Sequence, residues 1–363
     1  MSAELLFGVL GLAVSRFLFR RFPTLPYGVQ GEVASDLSII IPARNEARTL
    51  PNLLNDLLNQ TVSPLEIICV DDASTDDTAS IAIAHGAKVV RAAQRPAGWL
   101  GKPWACACGA NVAKGKHVLF IDADVRLAPD ALAALLARYG RGEAVVSIQP
   151  YHRVGGGSEQ LALIFNLIQL GSNGTTLSRQ APVGLFGPVV CIARTAYEQV
   201  GGFASVRGSV VEDVAIGARL LQAGYPVHLF LGGDLIHFRM YRDGLASLVE
   251  GWTKNFAAGA VQSPIWLAAM IFLWVTGCAA VPLGLLLSIF SARWALCALF
   301  LLLYAVWLLE LRRIGRKTGS FVPAMYGLYP LSLCLFLWVF LRSAVKRLLK
   351  QPVTWKGRKI PWR

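Results

Sequence analysis

Apolar residues along this chain fall into two regimes. In the first half they come as short, β-rich runs: Leu37–Ile41, Glu66–Val70, Ala87–Arg91 and His117–Ile121. Helical stretches separate them, over about Ala47–Gln60, after Ser74, near Trp104–Ala113 and over Pro129–Arg138. Ser74 is placed to cap the second helix, and Asp76 and Asp77 in its first turn suit the positive end of the helix dipole. Short runs that are apolar throughout fit strands covered on both faces. Strands alternating with helices predict an α/β domain, doubly wound around a mainly parallel sheet. The second regime begins after Pro264. Ile265–Ala292, Trp294–Leu309 and Thr318–Leu341 contain no charged residue, which makes them candidate membrane helices. Leu5–Phe19 is a shorter run broken only by Arg16. It lacks a basic start and a small-residue cleavage site, so it reads as a retained membrane anchor.

Composition agrees with this division. The chain has 363 residues, enough for more than one domain, and 55% of them are hydrophobic. Its net charge is +13, from 35 basic and 22 acidic residues. The placement of the excess decides its meaning. Arg20 and Arg21 follow the first apolar run, Arg312, Arg313, Arg316 and Lys317 lie between two later ones, and eight Lys/Arg follow Leu341. Such juxtamembrane charge marks cytoplasmic loops and favours anionic lipid, so membrane lipids rather than nucleic acid are the expected partners. An integral protein of a bacterial cell membrane with a cytoplasmic catalytic domain is expected. The seven cysteines form no CxxC pair and read as reduced thiols. No GxGxxG follows the first strand, which leaves a dinucleotide site unsupported. The five histidines are scattered and have no ligand spacing.

Candidate chemistry concentrates at strand ends. His117–Ile121 stops at Asp122 and Asp124, two carboxylates separated by one small residue. Ligands of open α/β sheets sit beyond the carboxyl ends of the strands. Two acids there offer oxygens to a hard cation, Mg²⁺ or Mn²⁺; the alternative is a solvated turn. Lys102 follows a Gly/Pro-rich loop and precedes a helix, so an ammonium and a helix N-terminus together make a diphosphate site; the alternative is a surface lysine. Glu212 and Asp213 stand at the start of an amphipathic helix, where acids also serve as caps.

Five segments in order carry a resemblance: SIIIPARNE, EIICVDDASTDDT, GWLGKPWAC with the Gly-Ala-Asn after it, LFIDADV, and VVEDVAIGARLLQAGY from Val210. Together they resemble the family 2 glycosyltransferases, inverting enzymes with a GT-A nucleotide-sugar domain. The resemblance covers residues 36–255. It implies a metal-dependent hexosyltransferase using a nucleotide sugar, UDP-linked by preference. It places Asp72 against base or ribose, with Ala43, Asn45 and Glu46 in the same pocket. Lys102 lies beside the nucleotide sugar, Asp122 contacts ribose or the metal shell, and Asp124 holds the metal. Asp213 becomes the general base, since an inverting displacement at a hydroxyl acceptor needs a carboxylate opposite the leaving group.

GWLGKPWAC and the later RMY, GWTKN and WKGR resemble the membrane-bound branch acting on carotenoids, hopanoid-pathway lipids and sphingolipids. The expected acceptor is therefore a lipid or isoprenoid hydroxyl. Glu212, Arg239, Tyr241, Trp252, Lys254, Trp355, Lys356 and Arg358 are candidates for the acceptor or diphosphate. The Q/RxxRW element of polysaccharide synthases is missing; GWTKN stands in its place, with Trp252 as an acceptor wall or as a plain interfacial residue. The expected organisation is an anchor at 1–22, the GT-A domain at 36–255, membrane helices at 264–345 and a basic cytoplasmic tail at 346–363. Two rival functions stand beside this one: a polyprenyl-phosphate sugar synthase, and a non-catalytic membrane scaffold. For the tail to stay inside, one late apolar segment must not cross. Pro323, Gly327 and Pro330 make Phe321–Pro330 the first candidate for a re-entrant turn.

Overall fold

A computed structural model describes residues 2–28, 36–92, 94–139, 145–260, 263–355 and 358–360. Lys356 lies outside the described residues, as do the side chains of Trp355 and Arg358. The elements run α1 (Ala3–Leu18), β1 (Leu37–Ala43), α2 (Leu50–Leu58), β2 (Glu66–Asp71), α3 (Thr78–Ala84), β3 (Lys88–Arg91), α4 (Gly101–Val112) and β4 (His117–Ile121). Next come β5 (Val125–Leu127), α5 (Ala131–Tyr139), β6 (Val145–Gln149), β7 (Tyr151–His152), α6 (Gly157–Gln160), α7 (Leu163–Ser172), β8 (Val189–Ala193) and α8 (Arg194–Gln199). The chain continues through α9 (Glu212–Gln222), β9 (Val227–Leu231), β10 (Ile236–Phe238), α10 (Leu245–Ala260), α11 (Ile265–Phe290) and α12 (Trp294–Thr318). It closes with α13 (Pro323–Gly327), α14 (Tyr329–Leu348) and the hairpin β11 (Val353–Trp355) and β12 (Arg358–Ile360).

Two compact units emerge: residues 23–151 with 184–239, and residues 1–22 with 152–183 and 240–362. The first contains a seven-stranded sheet in the order β3-β2-β1-β4-β8-β6-β9. β1 to β4 pair in parallel, and β6 pairs in parallel with β9. β8 runs antiparallel to both neighbours, β4 and β6. Its VVCIA is fully buried, and an apolar run reads the same in either direction, so sequence alone leaves its polarity open. The sheet buries Ile39, Ile41, Cys69, Leu119, Ile121 and Val146 against Leu50, Leu53, Leu54 and Leu57 of α2 and Leu132 and Leu135 of α5. The reversal of β8 brings its entry, rather than its exit, to the edge where β1, β2 and β4 end.

Some expected boundaries move. α2 is shorter than Ala47–Gln60, because residues before Leu50 are spent on side-chain hydrogen bonds to the next loop. α3 starts at Thr78 rather than after Ser74, whose Oγ accepts from the Asn45 amide instead of capping. α4 begins at Gly101, three residues ahead of the expected Trp104, so Lys102 lies inside its first turn. Pro103 is tolerated there because first-turn amides have no helical acceptor.

In the second unit, α1 packs on α11 through glycines. A Cβ on Gly11 would meet Gly277 Cα at 2.8 Å, and one on Gly8 would meet Val281 at 2.8 Å. Small residues let the two backbones approach closely. The Trp307 indole donates to the Gly8 carbonyl (3.1 Å), and Ser15 donates to Glu310 of α12 (2.9 Å). Residue numbers rise together along α1 and α12 and fall along α11, so α11 is antiparallel to both. α11 and α12 are long and apolar enough to cross a membrane, with a third or less of each apolar stretch buried. They expose Phe272, Phe290, Trp294, Leu302 and Leu309. The chain then turns around at mid-height. The Tyr304 hydroxyl meets the Gly327 carbonyl (2.5 Å), and the Tyr329 hydroxyl meets that of Cys278 (3.1 Å). Phe321–Pro330 is the segment that makes this turn. Trp252 of α10 is 1% exposed and packs on Phe165, with ring centroids 5.2 Å apart. It is a core residue of this unit rather than an open wall, because α7 covers it.

Candidate active site

The loops after β1 and β2 are joined side by side. Asp72 N donates to the Ala43 carbonyl (2.9 Å), and the Asn45 carboxamide oxygen accepts from Thr75 N (2.9 Å). Glu46 N donates to Thr78 Oγ1 (2.8 Å), and its carboxylate accepts from Thr49 (2.5 Å). Asn45 adopts a left-handed φ of 53°, which Asn tolerates better than most residues. Asn45 and Glu46 thus tie the two loops together, and Asp71 caps the turn by accepting from Ser74 N (3.0 Å).

Asp72 is 8% exposed. Burial pushes its carboxyl above the ordinary range; Arg44 and Arg95 pull it down and Asp71 pushes it up again. A buried carboxyl with a perturbed pKa in a cleft marks a functional candidate. Its sign allows a prediction. A raised carboxyl binds its proton more tightly in the folded state, so protonating Asp72 favours folding. A rise in donor KM on acidification that begins above the ordinary carboxylate range is then not a loss of folding stability contributed by Asp72. Asp72→Asn should flatten that rise. A wild-type-like pH profile of donor KM in Asp72→Asn would remove Asp72 from the donor site.

Two strands away, three expected residues converge. Lys102 Nζ lies 2.8 Å from Asp122 Oδ1, 3.8 Å from Asp213 Oδ2 and 3.3 Å from the Gly187 carbonyl oxygen. The three charged side chains are each 21–29% exposed. Burial alone would lower the Lys102 ammonium. Asp122, Asp213 and Glu212 outweigh it and hold the group well above its ordinary value. A raised lysine keeps its stabilisation below its unfolded pKa and loses it only as pH climbs through the folded one, so the cluster is intact across neutral pH. One turn on, burial pushes the Cys106 thiol well up, which leaves it protonated and unreactive.

Glu212 and Asp213 are the first two residues of α9, and Glu212 is 3% exposed. Asp124 follows β4 and immediately precedes β5. β5 pairs with β10 in the register Val125↔Phe238, so Arg239 leaves the ladder one residue beyond, alongside Asp124. Tyr241, Trp252 and Lys254 belong to the other compact unit.

The segment Gly184–Pro188 is a part of the site that sequence reasoning missed. Leu185 N donates to the Asp213 carbonyl (3.3 Å), and Asp122 N donates to that of Pro188 (2.9 Å). The only signal in the sequence is the pair of glycines in PVGLFGP, which reads as an ordinary turn. Trp99 and Trp104 pack edge to face on each other at 5.1 Å.

The chain has relatives. A family model described as glycosyl transferase family 2 matches residues 38–214. The 4,4'-diaponeurosporenoate glycosyltransferase of Staphylococcus aureus (strain MRSA252) is 35% identical over 89% of this chain and 87% of its own length. That of Staphylococcus haemolyticus is 35% identical over 91% and 90%. The mannosyltransferase PcManGT from Pyrobaculum calidifontis, solved in complex with GDP-Man and Mn²⁺, superposes with a TM-score of 0.56 over 95% of this chain and 96% of its own, at 18% identity. That likeness bears on the fold, which is GT-A. On the family model and these relatives, each matched over most of its own length, the chain belongs to glycosyl transferase family 2 and is a glycosyltransferase.

Proposed function

We propose that this enzyme is a membrane-bound inverting glycosyltransferase. It moves a sugar from a nucleotide-diphosphate sugar, UDP-linked by preference, to an oxygen of a carotenoid-type acceptor. The observation that carries this reading is the Lys102–Asp122–Asp213 cluster at the carboxyl edge of the sheet. The acceptor class is supported by the names of the staphylococcal relatives. The membrane is supported by α11 and α12 and their outward apolar side chains.

The residues present fit a divalent cation. Asp122 and Asp124 are hard oxygen donors, and one or two carboxylates completed by substrate phosphates suit Mg²⁺ or Mn²⁺. In this reading Asp124 is the principal ligand and Asp122, which also pairs with Lys102, lies beside it. When bound, the cation neutralises charge on the departing diphosphate as a Lewis acid. The ammonium of Lys102 adds a fixed positive charge beside the same group. Asp213 faces the acceptor and takes the proton of an attacking hydroxyl.

A second reading differs only in the acceptor atom. The relatives are named for a compound whose "-oate" ending denotes a carboxylate. Such an acceptor is ionised at neutral pH, and Asp213 then has no proton to remove. The experiment is to incubate the purified full-length enzyme with UDP- and GDP-sugars and a carotenoid extract, with Mn²⁺ or excess EDTA, and to read products by mass spectrometry. One donor should yield a glycosylated carotenoid in the Mn²⁺ arm. Mild alkali cleaves a glycosyl ester and spares a glycoside, which separates the two acceptor readings. Transfer only to added polyprenyl phosphate would favour the polyprenyl-phosphate synthase instead.

A further inference from the structure

We propose that Gly184–Pro188 is a shelf that sets where the acceptor-side carboxylate stands relative to the donor side, and that Gly187 is its positioning residue. This rests on the assignment of Asp213 to the acceptor side. Each residue of the segment is tied to a different part of the site. Gly184 lies under the α9 backbone, where an added Cβ would meet Val214 Cα at 2.5 Å. Leu185 N holds the Asp213 carbonyl. Phe186 is pinned in both directions by Ser147 of β6, a fully buried hydroxyl. Its amide donates to Ser147 Oγ (2.7 Å), and its carbonyl accepts from the same oxygen (2.9 Å). The Gly187 carbonyl accepts from Lys102, and the Pro188 carbonyl accepts from the Asp122 amide. Five consecutive residues therefore span the two carboxylates that Lys102 bridges.

Gly187 is the sensitive point. A Cβ built there would overlap the Asp213 carboxylate. The Gly187 backbone is not in the left-handed region, so alanine is not excluded there by a positive φ, and the contact with Asp213 is what it changes. Gly217 is the counterpart on α9. Its Cβ would meet Leu185 N at 2.6 Å, so the helix can seat only with glycine there. The Asp213 carboxylate rests on the Gly187 Cα on one side and faces the Lys102 ammonium on another, which leaves it little freedom.

The test is a double-mutant cycle on the full-length enzyme, with Gly187→Ala in the wild-type and Asp213→Ala backgrounds. Turnover, donor binding by calorimetry with UDP-sugar and Mn²⁺, and melting temperature are read for each. Displacing a catalytic group by about 1 Å costs on the order of 10²-fold. Gly187→Ala alone should lower kcat by about that factor and leave donor affinity unchanged. In the Asp213→Ala background it should cost nothing further, since the group it displaces is gone; this non-additivity is what a merely structural glycine does not produce. Equal losses in both backgrounds, or full activity of Gly187→Ala, would overturn the proposal. Should Gly187→Ala lower the melting temperature sharply, recovery in the double variant supports the clash with Asp213, and no recovery overturns it. A fully active Asp213→Ala would instead remove Asp213 from the chemistry, a separate failure of the assignment beneath.

Discussion

Asp213→Asn should lower turnover of a hydroxyl acceptor by roughly 10²- to 10⁴-fold, the usual contribution of a general base. The substitution keeps the side chain's shape against Gly187 and removes only its charge and basicity. Lys102 keeps its 2.8 Å pair with Asp122 and its bond to the Gly187 carbonyl, so donor binding should change little. The loss therefore belongs in kcat, measured at saturating nucleotide sugar. A carboxylate acceptor should lose far less, because it needs no deprotonation. A wild-type rate with a hydroxyl acceptor would end the assignment of Asp213 as base.

Asp124→Ala should cost on the order of 10³-fold in kcat/KM, since neutralising the charge of a departing diphosphate is worth several kcal/mol and each ~1.4 kcal/mol is tenfold. Fold stability should be kept, because Asp124 lies outside both flanking strands and is not among the buried residues. EDTA should reproduce the loss in the wild type, and Mn²⁺ should restore it there but not in the variant. Full wild-type activity in excess EDTA would refute the metal site.

What sequence made legible here follows the range of the interaction. The runs Leu37–Ile41, Glu66–Val70 and His117–Ile121 announce buried strands because burial on both faces leaves a local mark. The Asp-x-Asp at the end of β4 and the Glu-Asp at the start of α9 are visible for the same reason. The partners of Lys102 are not. Asp122 and Asp213 reach it from other elements, and only the sheet order brings them to one place. The shelf was hidden because glycines needed for close approach look like glycines of a loop. The burial of Trp252 is hidden for a related reason: helical spacing shows which residues share a face but not that Phe165 covers it.

The half-height turn at Gly327 and Tyr329 has a consequence for parity. α1 lies along α11 and α12, with Arg313 of α12 donating to the Phe19 carbonyl and Phe19 packing on Trp274, so the end of α1, the start of α11 and the end of α12 lie toward one face. A segment that enters from that face and reverses at the level of Cys278 adds zero to the count, and α14 spends its 20 residues returning. In a bilayer, both flanks of the transferase insertion and the carboxyl-terminal tail then belong to a single compartment. A cysteine placed at position 357, in a Cys334→Ala background that removes the exposed thiol, should stay unlabelled by an impermeant reagent in intact cells. Under the proposed function, that compartment is the one that supplies the nucleotide sugar.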